Sequence, residues 1–127
     1  MPWTYAIDKE RDVLLITAAG ILTAQELQFG VATATSDVSF HPDIRIFIDY
    51  RAVTNFGFSL DTVEAMASNQ VYSPKSRRAF LVASGVAAGI FQMYRTMVQA
   101  GIVRVFNDRN AALAWLNEGV PPEKILT

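Results

Sequence analysis

Apolar positions along this chain follow two alternating patterns: short runs bounded by turn residues, which predict strands, and longer stretches with apolar positions three and four apart, which predict helices. Residues 5–8 and 13–17 are the first two runs, and the charged Lys9-Glu10-Arg11-Asp12 segment between them predicts an antiparallel hairpin. Thr23 and Glu26 have the spacing of a capping box, in which the threonine oxygen accepts from a backbone N–H and the glutamate returns to the cap. A helix therefore begins there. Ala24, Leu27, Val31, Ala34 and Val38 share one face of it, and Gly30 weakens it by about 1 kcal/mol relative to alanine.

The segment Ile44-Arg45-Ile46-Phe47-Ile48 is β-branched and largely apolar on both sides, so residues 44–51 predict a central strand covered on both faces. Residues 52–58 read as a loop. Ser59 leads a second helix with Asp61 and Glu64 near its positive end and Leu60, Val63, Ala67 and Val71 on its apolar face. Residues 79–83 predict another buried strand, after which Ser84-Gly85 opens a third helix carrying Ala87, Ile90, Phe91, Tyr94, Met97 and Val98. Gly101 suits the left-handed residue past its end. Residues 102–106 give the last strand, and Asp108 caps a helix whose buried stripe is Ala112, Leu113, Trp115 and Leu116. The order β-β-α-β-α-β-α-β-α, with right-handed crossovers, predicts an α/β fold. Residues 1–127 are expected to form a single domain, a mixed and mostly parallel sheet of about five strands with helices on both faces.

Composition narrows the function classes. Fifty-one per cent of the 127 residues are hydrophobic and 18% charged, enough for one well-filled core. The net charge of −1, with no Lys/Arg block, argues against nucleic acid as a partner. The absence of cysteine excludes disulfides, thiolate nucleophiles and cysteine-ligated metals, and is compatible with a cytoplasmic setting. No carboxylate cluster has metal-binding spacing, so no metal or cofactor is expected. Residues 79–91 are too short and too broken by Ser84-Gly85 to span a bilayer.

The early Gly20-Ile21-Leu22-Thr23, the Ile-Phe-Ile-Asp strand ending at Asp49 and the closing Val105-Phe106-Asn107-Asp108 followed by Ala112-Leu113-Ala114-Trp115-Leu116 together resemble SpoIIAA-like, or STAS-like, domains along nearly the whole chain. That resemblance implies a small non-catalytic α/β domain. In one branch it binds a partner kinase and is switched by phosphorylation of a serine at the start of the second helix; in others it binds lipids or small ligands. Ser59 lies near the phosphoacceptor position, but where those antagonists carry Asp-Ser-Ser-Gly this chain reads Arg51-Ala52-Val53-Thr54-Asn55-Phe56-Gly57-Phe58-Ser59.

The candidate site residues are Asp49, Arg51, Asn55, Phe56, Phe58, Ser59, Ser84 and Tyr94. Most of them gather at the carboxyl end of the strands, where open α/β sheets place ligands. Each has a structural reading beside its functional one. Asp49 and Arg51, two apart on an extended backbone, point the same way and form either a strand-end ion pair or, with the helix starts at Ser59 and Ser84, an anion-binding edge. Ser59 is an N-cap or a phosphoacceptor. Phe56 and Phe58 are a lid on the core or an anchor for a ligand, a membrane surface or a second subunit. Tyr94 poses the same choice between core and pocket. His41, the only histidine, has no partner in sequence and reads as a solvated loop residue. The function these residues predict is a non-catalytic binding or regulatory module acting through a protein partner or a small apolar or anionic ligand. Lipid binding with peripheral membrane contact is the first alternative and a small enzyme using Asp49, Arg51 and Asn55 the other; self-association as a homodimer is also expected.

Overall fold

The opening hairpin forms as its pattern predicts, with β1 (Trp3–Asp8) antiparallel to β2 (Val13–Thr23), and Asp12 in the turn taking a positive φ of 60°. The computed structural model describes residues 3–69, 71–83 and 85–127. The Thr23–Glu26 capping box is present with both of its hydrogen bonds and starts α1 (Ala24–Thr35). Then follow β3 (Arg45–Gly57), α2 (Leu60–Ala67), β4 (Arg77–Leu81), α3 (Val86–Met97), β5 (Ile102–Phe106) and α4 (Arg109–Leu116), with a short 3-10 turn over Pro122–Lys124. All five strands join one sheet in chain order, β1-β2-β3-β4-β5, and every pairing after the hairpin is parallel. The order, the mixed sheet and the helices on both faces are those the sequence predicts.

Strand alternation assigns the two faces. Leu14, Ile16, Ile46, Ile48, Tyr50, Phe80 and Val103 point to one side and pack with Leu27 of α1, Val63 of α2 and Phe91 of α3. Val13, Phe47, Ala79 and Leu81 point to the other, where α4 covers them with Ala112, Leu113, Trp115 and Leu116. Three helices therefore lie on one face and one on the other.

Several local expectations change. Of residues 52–58, expected as a loop, only Phe58 is irregular: β3 continues to Gly57, its outer half pairing with the extension of β2 from Ala19 to Thr23 as a two-stranded parallel ribbon. Two register shifts, between Thr17 and Ala19 and between Gly20 and Ile21, break the alternation of that ribbon and hide it from a period-two reading. Gly30 is a socket and not merely a weak point in α1. A Cβ there would lie 2.4 Å from the Trp3 ring, and the docked indole donates to the Tyr50 hydroxyl at 3.0 Å. Val38, past the end of α1, is 97% exposed, so it does not continue the apolar face. Leu60, the first residue of α2, is exposed, and so is Val71, because α2 ends at Ala67, well before Pro74. His41 is paired, its Nε2 lying 2.7 Å from the Asp12 carboxylate.

Candidate functional site

The fold divides the predicted site residues between the two faces of the sheet. Asp49 lies on the α4 face at the carboxyl end of β3's core segment, in register with Thr17 of β2 and Leu81 of β4. Arg51 closes on it in a fork: Nε reaches Oδ1 at 3.1 Å and Nη2 reaches Oδ2 at 2.9 Å, while the Arg51 backbone N–H also donates to Oδ1. Partial burial, the largest single influence, pushes the Asp49 carboxyl up. The Arg51 hydrogen bonds and charge, with a contribution from Arg109, outweigh it and hold the group below the ordinary aspartate range. Asp49 in turn raises Arg51. The pair borders a shallow groove with Thr4 and Thr17, whose hydroxyls are 2.9 Å apart, on the part of this face that α4 leaves open.

Asn55 is exposed further along the ribbon, in register with Ile21 and not with the ion pair. Ser59 occupies the N-cap of α2 with extended backbone, its carbonyl accepting from Thr62 and Val63, but its side chain makes no capping hydrogen bond. The expected cap exists in backbone geometry only. Ser84, the other predicted helix-start ligand, lies outside the described residues.

Phe56, Phe58 and Tyr94 face the opposite side, with the three helices. The Phe56 ring is 5.5 Å from Phe58, 5.4 Å from Phe91 and 6.1 Å from Tyr50, so this part of the ribbon folds inward as a half-buried lid on an aromatic core. Phe80 and Phe91 stack at 4.7 Å beneath it. Tyr94 is buried, and its hydroxyl accepts a hydrogen bond from Arg78.

Arg78 is the polar residue that the strand prediction of 79–83 leaves out. It is 2% exposed, on β4, with Nη2 donating to the Ala100 carbonyl and its guanidinium 4.0 Å over the Tyr72 ring. The same alternation that buries Phe80 and Val82 on the three-helix face puts Arg78 there, and that was the signal available in the sequence. Gly101, with φ +84°, is held to glycine by this corner: an added Cβ would lie 3.0 Å from the Ser76 carbonyl and 3.1 Å from the Arg78 guanidinium.

Among the described residues, no three His, Asp or Glu side chains converge as metal ligands, and no helix is long and apolar enough to cross a membrane. No protein-family profile matches the chain, and no curated protein matches it. A search of solved structures finds an uncharacterized protein of the DUF3478 family with a SpoIIAA-like fold from Shewanella loihica PV-4. The TM-score is 0.60 and the identity 18%, over 90% of this chain and 93% of that one. This chain has that SpoIIAA-like fold.

Proposed function

We propose that this SpoIIAA-like domain is a non-catalytic binding module that recognises a protein partner through the apolar end of the sheet where α2 and α3 begin. One observation carries the reading: Leu60 is 51% exposed, Val86 81% and Met93 43%, leaving apolar side chains uncovered at the starts of both helices and along α3. Ile90, half-buried, lies one turn from both Val86 and Met93 and joins them in a stripe. Exposed apolar surface of this kind marks interaction sites more often than chance placement does. The exposed charges on these two helices, Asp61 and Glu64 on α2 against Arg95 on α3, favour protein over membrane, since an anionic lipid surface attracts basic residues instead. The disposition of the polar groups supports the non-catalytic half, since Asp49 is engaged by Arg51, His41 by Asp12 and Asp37 by Tyr5.

The test compares wild type with Val86→Ser/Met93→Ser, using fluorescence of the apolar probe anilinonaphthalene sulfonate, light scattering at micromolar concentration and co-sedimentation with anionic vesicles. Saturable probe binding lost in the double variant at an unchanged unfolding temperature is the expected result, and a dimer mass that falls to monomer would identify the partner as another copy of the chain. Equal probe binding by both proteins would sink the surface. Vesicle binding lost in the variant would transfer it to lipid, and turnover abolished by Asp49→Asn on a broad substrate panel would sink the non-catalytic reading.

A further inference from the structure

We propose that the cavity between the sheet and its three helices is a binding site for a small apolar monocarboxylic acid, with Arg78 as the counter-ion of its carboxylate. The space measures about 60 Å³. Arg78, Asn69 and the phenols Tyr50, Tyr72 and Tyr94 are its polar lining, and the rest is aliphatic, aromatic or thioether.

The first argument is charge. A guanidinium stays protonated at any ordinary pH, and burying a charge without an opposite one is among the costliest arrangements a core can hold. The partners Arg78 does have are the side chains of Tyr94 and Tyr72, which meet it with hydroxyls and ring faces, and the Ala100 carbonyl, all neutral. None of the ion pairs among the described residues includes it.

An unmade hydrogen bond supplies another argument. Nε of Arg78 is buried without a partner, the one such side-chain atom among the described residues, and buried donors are normally satisfied. A carboxylate oxygen would satisfy it by a charge-assisted bond.

The phenols supply the rest of the recognition. Tyr50 already accepts from the Trp3 indole and Tyr94 from Arg78, so each has its own O–H to donate. Burial keeps them protonated: it pushes Tyr72 up to about 12 against the opposing pull of Arg78, and raises Tyr50 and Tyr94 as well. One cation and several neutral donors suit a monoanion better than a phosphate, whose additional charge would have no match. The apolar walls suit a short hydrocarbon body, and the volume excludes a long one.

Nitrogen-15 spectra that resolve the arginine Nε–H groups read this site directly. Acetate and propionate titrated into wild type, beside ethanol, propanol and chloride as controls, are expected to give a saturable shift of the Arg78 Nε–H and a raised unfolding temperature with the acids alone. Arg78→Met abolishes the thermal response. Tyr94→Phe, which keeps the cation and removes one donor, weakens it severalfold, so the proposal stays testable if the methionine variant folds poorly. An absent or unsaturable shift, alcohols that act as the acids do, or chloride that reproduces the effect would each overturn it. Val86→Ser/Met93→Ser leaves the acid response intact, which separates this site from the recognition surface proposed above.

Discussion

Arg51 and Arg78 stand on opposite faces of the same sheet and show two ways of handling a cation. Arg51 is exposed, with a carboxylate two residues away that it grips through a fork and a backbone hydrogen bond. Its surroundings are self-sufficient. Arg78 sits among tyrosines in the core, with no carboxylate partner among the described residues and one donor unmet. The Arg51 region carries residue types associated with chemistry and is electrostatically closed; the Arg78 region has the composition of ordinary core and is electrostatically open. A charged group is informative about function when the fold leaves its charge unanswered, more than when it stands in a conspicuous place.

The contrast can be broken or sharpened by substitution. Phe91→Ala should have the largest effect, because this fully buried ring touches Tyr50, Phe56 and Phe80 and anchors the cavity side of the sheet. A loss of about 3–5 kcal/mol in denaturant unfolding is expected. Arg78→Met should move stability the other way in the ligand-free protein, by as much as about 1–4 kcal/mol, since an apolar chain of similar length removes an uncompensated buried charge. A large loss would mean that its neutral contacts already compensate the guanidinium.

Alkaline titration probes the same region. The folded-state values of Tyr50 and Tyr72 are raised by burial, so their contribution to stability is complete below about pH 10, the unfolded value. It is lost as pH rises through the folded values, near 12 for Tyr72. Unfolding followed by tyrosinate absorbance should therefore set in above about pH 10, as one cooperative step.

On the exposed side the effects are smaller. Arg51→Ala should cost below about 1 kcal/mol, as solvent-screened pairs usually do. Asp49 is depressed in the folded state, so its contribution is present above the ordinary aspartate value of about 3.9 and disappears as pH falls through the lower folded one. Asp49→Asn should flatten the acid limb of the stability profile in that window. Thr23→Ala, which breaks a complete capping box, should cost about 1 kcal/mol. Smallest of all, Ser59→Ala should change stability by less than about 0.5 kcal/mol, because no side-chain cap bond is lost.

What could be read in the sequence follows the range of the interactions. The hairpin, the Thr23–Glu26 box, the Asp108 cap and the Asp49–Arg51 pair are set by residues a few positions apart, and each is legible. The outer ribbon of β3 depends on residues 19–23, and its register shifts remove the alternation that would disclose a strand. Arg78 is obscured for a different reason: the alternation of Phe80 and Val82 points it inward, but its basic neighbour Arg77 gives the dipeptide the character of a solvated lead-in to a strand. Gly30 is legible as a helix weakness but not as a socket, because only the docked Trp3 supplies the reason.

The agreement between chain order and sheet order has a consequence for how the molecule is assembled. No strand has to be threaded between two that are already paired, so the sheet can grow outward from the hairpin as the chain lengthens, each new strand finding its neighbour as the previous one. Such growth keeps loop-closure costs low at every stage. The exceptions are long-range: Arg11 donates to the carbonyl of Ile125 and Arg45 to that of Lys124, tying residues 124–125 back across the foot of the hairpin. These two bonds fasten residues 124–125 to the start of the sheet, the longest-range ties across it.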